Sequence, residues 1–260
     1  MEKKGNGVLL ELRGLSKHFG GLAAVEKVDL GVERGQIMGL IGPNGEGKAT
    51  LFNLVSGVLK PTSGVVVFGG EEITALKPSE IAKKGLVRTF QGMVLFKDFT
   101  VVENVLLGLH LHAGIGFWAD VVNTGATKRR RGELLDRAME IVRFMGLEGY
   151  QGELAKNLPH GHQRALGVGI ALASDPKFMM LDEPTSGMNM EEKETIMGLV
   201  GRIKDRGVTL LVVEHDMKVV MGLCDRIAVL NFGLKIAEGT PEEIRSNKDV
   251  IEAYLGAEDK

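Results

Sequence analysis

The sequence predicts an α/β fold built on a largely parallel sheet with helices on both faces, and three observations carry that reading. Short apolar runs at QIMGLI (36–41), KFMML (177–181), TLLVV (209–213) and RIAVL (226–230) have the length and composition of buried strands. Segments with helical apolar spacing, beginning near Met190 and near Asp216, alternate with those runs. The first run also passes directly into a glycine-rich loop and then a helical pattern over 50–58.

The other elements follow in order. Val28, Leu30 and Val32 alternate beside Gly31 and Gly35, which predicts a half-exposed early strand. VVVF (65–68) reads as another strand, and Pro78 opens a short helix through Lys84. Residues 101–112 and 132–145 have helical spacing around a glycine-rich stretch. The helical block at about 92–165 is therefore expected to be a lobe inserted into the sheet domain, with the chain resuming its core at about 166 and a tail over about 241–260. Met179 and Met180 are read as core residues.

Composition narrows the function classes. With 44% hydrophobic and 25% charged residues in 260, the chain has ordinary globular proportions. A net charge of -2 gives no basis for nucleic-acid binding. Cys224 is the one cysteine, so no internal disulfide forms, as in a reducing compartment. The N-terminal MEKKGNGVLLELRG has too short an apolar stretch for a signal peptide. No apolar run reaches the roughly 20 residues needed to span a bilayer, so membrane contact is expected through partners.

The glycine-rich loop is GPNGEGKAT: Gly42, Pro43, Asn44, Gly45, Glu46, Gly47, Lys48, Ala49 and Thr50. Glycines let successive backbone N–H groups turn inward around a phosphate, and the helix N-terminus adds its positive end. Lys48 is expected to reach the β- and γ-phosphates of a nucleotide. The pattern normally ends in a hydroxyl that ligates magnesium, and Ala49 stands there, with Thr50 one place too late. Glu46 puts a carboxylate in a loop built for anions, unless it points to solvent. A second constellation lies at FMMLDEP (178–184), where two acids follow a buried strand. Asp182 suits magnesium and Glu183 suits an attacking water. TLLVV likewise ends in Glu214 and His215, and a histidine there suits a γ-phosphate contact.

The order of these motifs resembles the ATP-binding-cassette ATPases: Phe19, the phosphate loop, Gln91, LPHGHQ, LDEPTSGMN, then VEHD. FGGLAAVEKVDL, RTFQ with LFKDFTVVENV, and AEGTPEEIRSNKDVIEAYLG are similar to ATP-binding subunits of branched-chain amino acid importers. The resemblance implies a single phosphate-loop ATPase domain over 1–260, in which an antiparallel β subdomain and an inserted helical subdomain join the parallel core, about 1–91 and 166–240. It implies that Phe19 stacks on adenine and that the loop residues bind ATP. It further implies catalytic roles for Lys48, Gln91, Glu183 and His215, with magnesium held by Asp182 and Gln91. Leu158, Pro159, His160, Gly161 and His162 stand where the family's L-S-G-G-Q segment meets ATP on an opposing subunit, and only Leu158 and Gly161 match it. Ser186 to Asn189 correspond to the loop crossing between two such subunits.

The implied partners are a second, different ATPase subunit, transmembrane permease subunits and an external substrate-binding protein, at the cytoplasmic face of the inner membrane. Two alternatives stand beside this: a catalytically weakened nucleotide-binding subunit, suggested by Ala49, Glu46 and Pro159, or the ATPase of a lipid or polysaccharide exporter. His110, His112, His160 and His162 form two His-x-His pairs without acidic or cysteine partners, which argues against a metal site. Lys128 to Arg131 read as a solvated helix start. Phe117 and Trp118 fit either a partner groove or lobe packing.

Overall fold

The fold was obtained as a computed structural model, and it describes residues 7–89, 95–113 and 125–258. The chain forms two compact units: Met1–Arg88 with Lys177–Ser186 and Val200–Lys260, and Thr89–Pro176 with Gly187–Leu199.

The first unit holds two sheets. β1 (Val8–Phe19), β2 (Leu22–Glu33), β4 (Ser63–Phe68) and β5 (Glu71–Glu72) form an antiparallel sheet in the order β2-β1-β4-β5. β3 (Ile37–Ile41), β6 (Leu86–Arg88), β7 (Phe178–Asp182), β8 (Thr209–Val213), β9 (Arg226–Asn231) and β10 (Leu234–Gly239) form the other, in the order β10-β9-β3-β8-β7-β6. Its pairings are parallel except at the β10 edge. The expected α/β class with a mostly parallel core and an antiparallel β sheet is thus what the chain adopts.

β3, β7 and β8 are buried at every residue, which explains why they read as unbroken apolar runs rather than alternating ones. α1 (Lys48–Val55) turns Leu51, Phe52, Leu54 and Val55 into a core cluster shared with both sheets. Phe68 of β4 meets Phe178 of β7 edge to face, with ring centroids 6.0 Å apart. α2 (Pro78–Lys83) opens with its proline at the first turn, as predicted.

The other unit contains α3 (Val101–Ala113), α4 (Gly125–Phe144), α5 (His160–Ala173) and short 3-10 turns at Glu148–Tyr150 and Ala155–Asn157. Asn104 is fully buried in it: its amide accepts the Phe96 N–H and donates to the carbonyls of Phe96, Phe99 and Thr100. That one side chain fixes the turn leading into α3 by satisfying buried backbone groups. Gly108 lets α3 approach α5, since a Cβ there would lie 2.5 Å from the Ile170 carbonyl oxygen. α4 begins at Gly125, earlier than the predicted 132, because GATKRRR has no apolar face to reveal its periodicity. Arg129, Arg130 and Arg131 are exposed, and Arg129 pairs with Glu133 one turn on, so these three arginines are solvated. α6 (Met190–Asp205), α7 (Met217–Leu223), α8 (Pro241–Arg245) and α9 (Lys248–Glu258) complete the helices of the described residues, and the division between units falls within α6. Phe117 and Trp118 lie outside the described residues.

Candidate functional site

The buried strand β3 delivers the chain into the loop over 42–47, and three glycines bend it. Gly42, Gly45 and Gly47 have φ of 149°, 85° and 99°, values that side-chain-bearing residues rarely adopt. Gly42 and Gly47 are also hemmed in: a Cβ would strike the Leu230 carbonyl at one and the Ala24 carbonyl at the other. The first residue of α1, Lys48, is buried and donates to the carbonyls of Gly42 and Pro43 at 2.6 and 2.7 Å. Its own loop therefore holds the ammonium in place. Burial pushes the Lys48 pKa down, and the nearby Glu183 and Glu46 carboxylates oppose that shift.

Glu46 is half-buried. Its carboxylate accepts the Phe232 N–H, and the Gly233 N–H donates to its carbonyl at 3.3 Å. The turn between β9 and β10 therefore takes the charge that would otherwise face an anion. Gly233 in turn accepts the Glu26 N–H of β2 at 2.9 Å, so the loop, the turn and β2 are tied together. Ala49 is exposed and Thr50 half-buried in the first turn of α1.

At the end of β7, Asp182 is buried and its carboxylate accepts Arg88 at 2.8 Å. Arg88, at the end of the adjacent β6, also donates to the Asn53 side chain at 2.6 Å and lies 5.4 Å from the Phe52 ring centroid. Glu183 takes a left-handed φ of 46°, and its N–H donates to Val213 of β8 at 2.9 Å. Such backbone strain at a side-chain-bearing residue recurs at active sites. Next along the chain, the Thr185 N–H and hydroxyl donate to Glu214 at 2.9 and 2.7 Å, and Glu214 is 1% exposed. This bond joins the loop after β7 to the loop after β8, where His215 is exposed and its Nδ1 lies 3.9 Å from the Glu214 carboxylate. Phe19 closes β1 with its ring half exposed, under Lys17 at 5.2 Å.

The first unit thus brings together Gly42 to Thr50, Asp182, Glu183 and the loop bearing His215. Arg88, Asn53, Thr185 and Glu214 also lie in this unit's site; sequence reasoning named Glu214 only as the residue before His215 and gave none of the four a role. Only the apolar runs before Glu214 and before Asp182 hinted at them. Gln91 lies outside the described residues.

In the other unit, Pro159 caps α5 with extended backbone (φ -54°, ψ 151°) and no side-chain hydrogen bond. His160 is exposed, while His162 packs on Tyr150 with centroids 4.7 Å apart. Gln163 donates to the Leu158 carbonyl at 2.9 Å, and Leu158 is buried. No group of three or more His, Cys, Asp or Glu suited to a metal occurs among the described residues. The side chains of His110 and His112 lie outside them.

A family model described as "ABC transporter" matches residues 25–186, spanning the glycine loop, the segment before α5 and the acids after β7. The chain belongs to the ABC transporter family. A second model, "Branched-chain amino acid ATP-binding cassette transporter", matches 235–260. Among curated relatives, the high-affinity branched-chain amino acid transport ATP-binding protein BraF of Pseudomonas aeruginosa is 43% identical over 95% of this chain and 98% of its own length. LivG of Escherichia coli K12, of the same description, is 42% identical over the same shares. Among solved structures, an ATP-binding cassette of an ABC transporter in its ADP conformation superposes with TM-score 0.84 at 30% identity, covering 96% of this chain and 100% of that one. A dimeric cassette in a post-hydrolysis state with ADP and Pi gives TM-score 0.74 at 26% identity, covering 90% and 99%. As a cassette ATPase of this family, the chain binds nucleotide and works with membrane permease subunits. No helix among the described residues is long and apolar enough to cross a membrane.

Proposed function

We propose that this chain is the ATP-hydrolysing subunit of an importer for branched-chain amino acids or related small polar compounds. It would sit peripherally on the cytoplasmic face of the inner membrane and pair with a second, different ATPase subunit. Two permease subunits and an external binding protein complete the assembly. The identity of 42–43% with curated subunits of that description over 95% of the chain supports the substrate class. The observation that carries the chemistry is Lys48 held at the mouth of the loop with Glu183 close enough to act on its charge.

In this reading the 42–47 loop and the start of α1 receive the β- and γ-phosphates, and Lys48 moves from two carbonyls onto phosphate oxygens. Phe19 presents a ring face to adenine. Glu183, aimed by its left-handed backbone, holds the attacking water and takes its proton. His215, on the rim beside Glu214, meets the γ-phosphate. The α5 N-terminus after Pro159 offers the backbone of His160, Gly161 and His162 to nucleotide on the partner, with Leu158 anchoring the turn. Gln91 carries the nucleotide state toward the permease.

Asp182 supplies a carboxylate at the strand end, and Ala49 supplies no oxygen, so the donor set fits a magnesium ion that keeps most of its waters. When bound, that ion would neutralise charge on the transferring phosphoryl group. For Asp182 to serve it, the carboxylate must share itself between the ion and Arg88. Ala49 favours a second reading, in which the site is slow and the partner ATPase does most of the hydrolysis.

The substrate class is tested by ATP-driven uptake into proteoliposomes holding the whole complex with its binding protein. Accumulation of leucine, isoleucine or valine supports the proposal. Accumulation of none of these, with export of lipid or polysaccharide, overturns it.

A further inference from the structure

Asp182 is the acid suited to magnesium, yet a guanidinium of this chain already neutralises it. Arg88 Nη2 lies 2.8 Å from Asp182 Oδ2, and the two side chains are only 9% and 10% exposed. β6 runs parallel to β7 with Arg88 opposite Met180, so the guanidinium reaches forward along the sheet to the strand end where Asp182 stands. Solvent screens such a pair little, and each charge matters to the other far more than at a surface.

Arg88 is held from a second side by α1, the helix that opens with Lys48. Its Nη1 donates to Asn53 Oδ1 at 2.6 Å and to the Ser56 hydroxyl at 3.4 Å, and its central carbon lies 5.4 Å from the Phe52 ring centroid. Asn53 stands one turn beyond Ala49, on the same face of the helix. Where the phosphate-loop pattern puts a magnesium ligand, this chain thus has a methyl group, and one turn further on a clamp for a cation. The Asn53 and Phe52 contacts need nothing from Asp182, so they keep Arg88 in place when the carboxylate turns to another cation.

We propose that Arg88 is a positioning residue that acts through Asp182, as a fixed counter-charge that magnesium has to displace. It offsets the Asp182 charge against nucleotide phosphates that arrive without metal, and it competes with the ion for the same carboxylate. Nucleotide binding is thereby less dependent on magnesium than the acids alone would make it. The inference rests on the nucleotide reading of the Gly42 to Thr50 loop and on Asp182 as the carboxylate for the metal.

The test is ADP titration calorimetry on the full chain, in excess magnesium and in EDTA, with thermal unfolding beside it. The readout is the ratio of the two dissociation constants. Arg88→Met removes the charge and should weaken ADP in EDTA roughly tenfold more than ADP with magnesium, because a carboxylate then faces the phosphates uncompensated. Arg88→Lys keeps the charge without the fork and should leave the ratio within about twofold of native, although its unfolding midpoint falls. Equal weakening of both forms by Arg88→Met overturns the proposal and marks a purely structural pair. So does a smaller magnesium dependence, which would mean that Arg88 prepares Asp182 for the ion, and so does a lysine variant that behaves as the methionine one. Should Arg88→Met fail to fold, Asp182→Asn asks the same question in reverse. With the carboxylate gone the guanidinium faces the phosphates, so ADP in EDTA should bind more tightly than to the native chain; equal or weaker binding overturns the proposal. Lys48→Ala separates the underlying reading: if it binds nucleotide as well as the native chain, the loop assignment fails, whatever Arg88 does.

Discussion

The phosphate loop and the segment opening α5 both depart from their family's pattern, yet the fold treats the departures in opposite ways. In the loop, Glu46 has been given partners: the Phe232 N–H for its carboxylate and the Gly233 N–H for its carbonyl. That deviation is absorbed by the β9–β10 turn, which β2 holds in turn through the Glu26 N–H to the Gly233 carbonyl. At α5, Pro159 replaces a capping side chain and nothing takes over the role. What is left at that helix end is backbone. A site built from backbone N–H groups tolerates side-chain change so long as φ and ψ are kept, and it loses function when they are not.

The largest expected effect is therefore at a loop glycine. Gly47→Ala places a methyl against the Ala24 carbonyl at a φ of 99°. Strain and overpacking together should lower unfolding free energy by roughly 3 kcal/mol, read from denaturant midpoints. A variant as stable as the native chain would break the claim that this loop is fixed by its surroundings. Thr185→Val ranks next. It removes one of three donors to the buried Glu214 and should lower stability by about 1–3 kcal/mol. At α5 the sign reverses: Pro159→Ser supplies the absent cap and should raise stability by about 1 kcal/mol, seen as a higher unfolding temperature. A fall there would mean that the proline holds that turn in a way its missing side-chain bond does not suggest.

Near neutral pH the smallest effect concerns Cys224, whose thiol is pushed up to about 12 by burial, with Asp225 and Glu214 adding to the shift. Because the folded value lies above the unfolded one, stability should be flat below about pH 9 and decline as pH rises toward 12. At pH 8 a thiol reagent should label the unfolded chain and spare the folded one.

The contrast also explains what was legible in the sequence. β3, β7 and β8 announce themselves because parallel central strands are apolar at every position. β1 does not, since Gly14, Ser16 and Lys17 interrupt its alternation where its register with β2 shifts. The edge strands β6 and β10 are short or half exposed and carry no periodic signal. Within the site, residues that act through local spacing, such as Lys48 after its glycines, were readable. The bonds that orient them were not: Glu46 meets Phe232 across 186 positions, Arg88 meets Asp182 across 94, and Thr185 meets Glu214 across 29. No periodicity encodes such pairs, and the chain alone leaves Glu46 either in the anion loop or turned to solvent.

The central claim is that this chain hydrolyses ATP through Glu183 despite Ala49. The direct measurement is magnesium-dependent ATP turnover by the reconstituted complex with the partner ATPase held constant, comparing the native chain with Glu183→Gln and Ala49→Thr. Loss of a well-placed transition-state contact lowers rate by about 10²–10³. The account predicts a drop of that order for Glu183→Gln and faster turnover for Ala49→Thr. Turnover that neither substitution alters would contradict it and assign hydrolysis to the partner.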